Sequence, residues 1–141
     1  MQKILVVDDD KKIVAALSLR LKNAGYEVAA AYDGPSAIEV SARERFALIV
    51  MDINMPFTNG VRAVRQMKET TEQANTPVIF ITASKMPGLR DQAMALGAAG
   101  FFEKPYEPDE VLKRIRELLG DPAKSGPVST GTIRLSDKQA G

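Results

Sequence analysis

Five short apolar runs, each followed by a stretch whose apolar residues recur at helical spacing, constrain the fold of this 141-residue chain more than any other feature. The runs at 4–7, 26–31, 46–52, 78–82 and 100–103 are too short for typical helices and read as strands. After the first, Ile13, Leu17, Leu21 and Ala24 recur until Gly25. Asp33, Gly34 and Pro35 open a second helix with a small apolar face of Ala37, Ile38, Ser41 and Ala42. A third turns Val61, Val64 and Met67 inward, a fourth uses Leu89, Ala93 and Leu96, and a last one buries Val111, Leu112, Ile115, Leu118 and Leu119. Such strict alternation implies parallel βαβ units with right-handed crossovers and helices on both faces of one sheet.

Strand order follows from charge. The first, third and fourth runs are uniformly apolar and belong in the centre, whereas the second and fifth carry Glu27 and Glu103, which suit exposed edges. The predicted fold is therefore an α/β, doubly wound, five-stranded parallel sheet of order 2-1-3-4-5, a flavodoxin-like (βα)5 domain over residues 1–120. In such sheets ligands bind beyond the carboxyl ends of the strands, at the switch point between strands one and three. Asp8 and Asp9 follow strand one and Asp52 ends strand three, so the three carboxylates are expected to converge. Taken alone, Asp52 could simply open a turn, and Asp8 to Asp10 could simply cap a helix. Capping is the reading adopted for Asp10, which lies nearest the helix.

Three like charges at one rim repel, and a divalent cation removes the conflict. With no histidine and no cysteine in the chain, the ligands are oxygens, which suit Mg2+. The same absences exclude disulfides, thiolate chemistry and a histidine general base. Thr82 closes strand four, where its hydroxyl could donate to an anion on Asp52, and Lys104 closes strand five with an ammonium able to pair with that anion. Each also has an ordinary explanation, threonine being common in strands and lysine in edge protection. Residues 1–120 carry 16 basic and 16 acidic side chains, so no basic footprint for nucleic acid is expected. No run approaches the roughly 18 apolar residues of a membrane span, and the amino terminus lacks the layout of a secretory signal, so a cytoplasmic protein is expected.

Together, Val6 to Asp10, Asp33 to Ala37, Met51 to Pro56, Thr82 and Ala83, Gly97 to Gly100, and Lys104 with Pro105 resemble the receiver domain of two-component response regulators. The likeness covers about residues 2–120 and in size is nearest the stand-alone chemotaxis type. It implies that Asp52 is the phosphoacceptor, and that Asp8, Asp9, Asp52 and the backbone carbonyl of Asn54 hold Mg2+. It further implies that Thr82 and Lys104 bind the phosphoryl oxygens, that Thr82 and Phe101 form the switch, and that Lys104–Pro105 is a cis peptide. A histidine kinase or histidine phosphotransfer protein would be the donor, since this chain has no histidine. An output protein or a missing output domain would be the receiver of the signal, read near the fourth helix, fifth strand and last helix.

Phe57 and Asn59 depart from the small and acidic residues usual in the 56–60 loop. Asn54 and Ser84 stand two residues beyond Asp52 and Thr82, where side chains can screen water from the phosphoryl group. A haloacid-dehalogenase-like phosphatase is the alternative, but its second aspartate would fall at Asn54. A degenerate receiver serving only as a scaffold is a third reading, against which stands the presence of Asp8, Asp9, Asp52, Thr82 and Lys104 together. A dinucleotide site is weaker, because strand one leads into acids instead of Gly-x-Gly. Residues 121–141 are rich in Gly, Ser, Thr, Pro and Lys without apolar periodicity and are expected to form a flexible tail or linker.

Overall fold

In the computed structural model, which describes residues 2–57, 59–83 and 87–122, ten elements alternate as anticipated. They are β1 (Lys3–Val7), α1 (Lys11–Asn23), β2 (Glu27–Ala31), α2 (Gly34–Arg43), β3 (Leu48–Asp52), α3 (Gly60–Thr70), β4 (Val78–Thr82), α4 (Leu89–Ala95), β5 (Gly100–Glu103) and α5 (Pro108–Leu119). All pairings are parallel and the sheet order is β2-β1-β3-β4-β5. Every residue of β3 and β4 is buried, as their unbroken apolar sequences require, while Glu27 and Glu103 on the edge strands are exposed. Nearly all of the expected tail, from 123 onward, lies outside the described residues.

Two cores lie on opposite faces of the sheet because strand side chains alternate. Leu5, Val7, Ile49, Met51 and Phe80 pack with Val61, Val64 and Met67 of α3 and Ala37 of α2. On the other face Ile4, Val6, Leu48, Val50, Ile79 and Ile81 pack with Leu17 and Leu21 of α1 and with Val111, Leu112 and Ile115 of α5. Burying one such side chain contributes about 2 kcal/mol. A single helix cap contributes about 1 kcal/mol, so the caps set helix ends while the sheet core sets stability.

The caps are nonetheless well defined. Asp10 Oδ1 accepts from Lys12 N at 2.9 Å, Asp33 Oδ1 from Ser36 N at 2.7 Å and Asn59 Oδ1 from Arg62 N at 2.9 Å. The helix faces are slightly rotated from the sequence expectation. In α1 the buried stripe is Val14, Leu17 and Leu21, with Ile13 only half-buried, because a 3-then-4 spacing stays nearer one line along the helix than Ile13 does. In α2 Ala37 and Ser41 are buried whereas Ala42, one residue or 100° further round, is exposed. Among the described residues no helix is long and apolar enough to cross a membrane.

Candidate functional site

The strand register carries five polar residues to one rim. Asp52 is the last residue of β3 and pairs with Ile81, while Thr82, the last residue of β4, pairs with Glu103. Beyond the strands the ladder runs on: Ile53 N donates to Ile81 O at 2.8 Å, and Lys104 N donates to Thr82 O at 2.8 Å. Asp8 N donates to Ala31 O at 3.2 Å, extending β1 along β2. Carboxylate oxygens of Asp8, Asp9 and Asp52 consequently come within 4.8 Å of one another, the first and last buried and Asp9 exposed. Asp10 points instead into its own helix as a cap, which separates its task from that of its two neighbours. Asp8 is steered by the same turn, its Oδ1 accepting from Asp10 N at 2.9 Å.

Charge at this rim is incompletely compensated. Lys104, in the segment joined by the cis peptide Lys104-Pro105, places Nζ 3.0 Å from Asp8 Oδ2 and 3.4 Å from Asp52 Oδ2. Asn54 N donates to Asp52 Oδ1 at 3.2 Å. Asp52 Oδ2 is buried without a hydrogen-bond partner among the described residues, so the ammonium supplies charge there without a well-aligned bond. Burial, and then the charge of Asp8, push the Asp52 carboxyl up to about 6 against the pull of Lys104 and the Asn54 N–H. Burial acts to lower the Lys104 ammonium, but its hydrogen bond to Asp8 and the charges of Asp52 and Asp8 outweigh burial and raise it. A buried, partnerless carboxylate oxygen beside two other carboxylates, in an all-oxygen donor set, fits metal binding.

Thr82 is fully buried, and its hydroxyl donates to Asn54 Oδ1 at 2.8 Å. The same oxygen accepts from Ala83 N at 3.1 Å. Phe101, in mid-β5, is half-buried against the core that includes Phe80 and Ala93, and the Arg90 guanidinium of α4 lies 5.3 Å from its ring centroid. Two nearby residues carried no usable sequence signal. Tyr106 follows Lys104 by two, and burial, with the charges of Asp8 and Asp52, pushes its hydroxyl up to about 12. Gly60, where α3 begins, passes so near the strand that an added Cβ would lie 2.2 Å from Asp52 O. Phe57 is 88% exposed with φ 76°, and Ser84 lies outside the described residues.

A doubly wound sheet whose switch point gathers three carboxylates and a lysine defines an α/β domain with an acidic, cation-suited rim. Residues 4–116 match the response regulator receiver domain, and the chain belongs to that family of two-component signalling proteins. It is 34% identical over 136 residues to the transcriptional regulatory protein DltR of Streptococcus agalactiae, an alignment covering 95% of this chain and 60% of that protein. Among solved structures it is similar to the chemotaxis response regulator CheY4 of Vibrio cholerae, at 34% identity and a TM-score of 0.78, covering 84% of this chain and 99% of that one. It is likewise similar to the BeF3-activated receiver domain of DrrB, at 31% identity and a TM-score of 0.75, covering 84% of this chain and 97% of that one. The chain spans 48–60% of the length of curated relatives such as PhoP of Bacillus subtilis and DltR. Receiver domains are phosphoacceptors rather than turnover enzymes.

Proposed function

We propose that this domain is a phosphorylation-dependent switch in which Asp52 takes a phosphoryl group from a histidine kinase or histidine phosphotransfer protein. The observation that carries the assignment is Asp52 Oδ2, buried at the rim and unbonded, with Asp8, Asp9 and Lys104 around it. Asp52 attacks phosphorus, a carboxylate O–P bond forms, the P–N bond to the donor imidazole breaks, and the imidazole keeps the electron pair. Asp8, Asp9, Asp52 and the backbone carbonyl of Asn54 would hold Mg2+, which when bound offsets the clustered charge and polarises the phosphoryl oxygens. Lys104 offers an ammonium and Thr82 a hydroxyl to those oxygens, so charge neutralisation and positioning suffice and no general base is required. The same groups let the domain assist its own phosphorylation and its slow dephosphorylation. Asn54 has no titratable group to serve as the acid or base of a phosphatase, which supports a lasting phosphoryl group.

The switch is the pair Thr82 and Phe101, with the signal read on the surface of α4, β5 and α5 by an output protein or an output domain beyond this stretch. Because Arg90 lies over the Phe101 ring, a movement of that ring reaches α4 directly. The family setting supports a cytoplasmic location, with neither nucleic acid nor membrane as direct partner of the domain itself. The test is phosphorylation of the wild-type chain and of Asp52→Ala by a small acyl phosphate with Mg2+, read by intact mass. One phosphoryl group on the wild type and none on the variant is expected. Equal modification of both would reject Asp52, and rapid multiple turnover would reject a switch in favour of a phosphatase.

A further inference from the structure

The carbonyl oxygen of the Asn54 side chain is engaged twice, and both donors come from the end of β4. Ala83 N–H can only donate, so the Asn54 atom facing it at 3.1 Å must be the amide oxygen, which settles the orientation of the amide. That oxygen carries no proton, so Thr82, 2.8 Å away, must be the donor of its own bond. Thr82 itself is fully buried, while Asn54, which bears the acceptor, is exposed. Asn54 at the same time donates its backbone N–H to Asp52 Oδ1. One residue thus ties the strand end bearing the acid to the strand end bearing the hydroxyl.

We infer that the Asn54 side chain is a positioning residue that latches Thr82 in the resting state, so that a phosphoryl group on Asp52 must draw the Thr82 hydroxyl away from it. The inference rests on reading Asp52 as the phosphoacceptor. A neutral amide oxygen is a weaker acceptor than a phosphoryl dianion, whose charge-assisted hydrogen bonds are roughly twice as strong. Thr82 therefore stays on Asn54 until the anion arrives and then transfers to it. Ala83 N–H is held by the same atom, so removing the Asn54 side chain takes the acceptor from the first residue of the loop after β4 as well. The latch sets the resting fraction of molecules with Thr82 available, and apparent affinity for a phosphoryl mimic scales with that fraction.

A double-mutant cycle reads this directly. Beryllofluoride would be titrated at saturating Mg2+ into the wild type, Asn54→Ala, Thr82→Val and the double variant, with Asn54→Leu as a variant of similar shape lacking the acceptor. Removing the latch is expected to tighten apparent binding about three- to tenfold, the equivalent of one hydrogen bond of ordinary net strength. In the Thr82→Val background the same change should alter binding less than about twofold, since Asn54 acts through Thr82. The resting Ala83 amide proton resonance should shift in both Asn54 variants. Unchanged affinity, an equal gain without the Thr82 hydroxyl, or an unmoved Ala83 amide would each overturn the latch. A wild type that ignores beryllofluoride, or an Asp52→Ala chain that binds it equally well, would instead overturn the functional reading and take the latch with it.

Discussion

Gly60 approaches Asp52 so closely that a methyl group on its Cα would sit 2.2 Å from the Asp52 carbonyl oxygen and 2.8 Å from Met51 Cγ. Its own N–H donates to Ile53 O at 2.8 Å, which clamps the start of α3 onto the end of β3. Just past the strand end, Asn54 N donates to Asp52 Oδ1 at 3.2 Å.

Gly60→Ala should accordingly push α3 away from the strand. A loss of about 2–3 kcal/mol is expected, the usual cost of forcing atoms into a packed space that backbone cannot vacate. Urea unfolding measures it, and phosphorylation by an acyl phosphate at a temperature where the variant remains folded should also slow. Wild-type stability in the variant would show that the strand and helix separate freely.

Metal-free protein should become less stable as pH rises through the titration of Asp52. The folded-state carboxyl titrates near 6 and the unfolded one at 3.8, so between these values the folded state holds more protons. Stability then falls with rising pH and the full penalty stands above about pH 7. A two-unit shift corresponds to on the order of 2–3 kcal/mol. Asp52→Asn lacks this proton, so with EDTA present its advantage over the wild type should grow from pH 4 to pH 7 and then level off. Lys104, whose ammonium is raised instead, contributes stability that is lost only at alkaline pH and leaves this window alone. Parallel unfolding curves for the two proteins across that range would refute the assigned burden on Asp52.

At the opposite end of the sheet, Gln73 is fully buried and bonds in four directions. Its Nε2 donates to Ser41 O and Glu44 O at 3.0 and 2.7 Å, and its Oε1 accepts from Phe46 N and Thr76 Oγ1 at 3.2 and 2.9 Å. Gln73→Leu would fill a similar volume yet orphan these groups, and a loss of about 3–5 kcal/mol is expected. Because the clamp sits at the amino ends of β3 and β4, acyl-phosphate labelling of still-folded variant should proceed at the wild-type rate. A Tm change of less than a degree or two would show that the network contributes little.

Much of the site was legible because its residues stand next to strong signals. Asp8, Asp52, Thr82 and Lys104 each end or follow an apolar run, and the exposed edges marked by Glu27 and Glu103 order those runs in space. Their convergence needed no knowledge of side-chain conformation. The Asn54 side chain was a different case. Sequence places it two residues past Asp52, but not which way its amide turns, and that depends on Thr82 arriving 28 positions later. Gln73 was passed over for the same reason, since its partners lie as far as 32 residues away. The α1 stripe through Val14, by contrast, follows from 3-then-4 helical spacing and lay within reach of the sequence.

By itself, then, the order of apolar and polar residues determined the alternation of elements, the sheet order and the rim at which the acids gather. These follow from backbone periodicity and from desolvation, which act within a few residues and tolerate many side-chain choices. Only the tertiary structure decided that Gly60 must lack a side chain, that Gln73 closes the far end and that Asn54 holds Thr82. Those outcomes depend on distances of a few tenths of an ångström between segments far apart in the chain, where close packing and hydrogen-bond geometry are decisive.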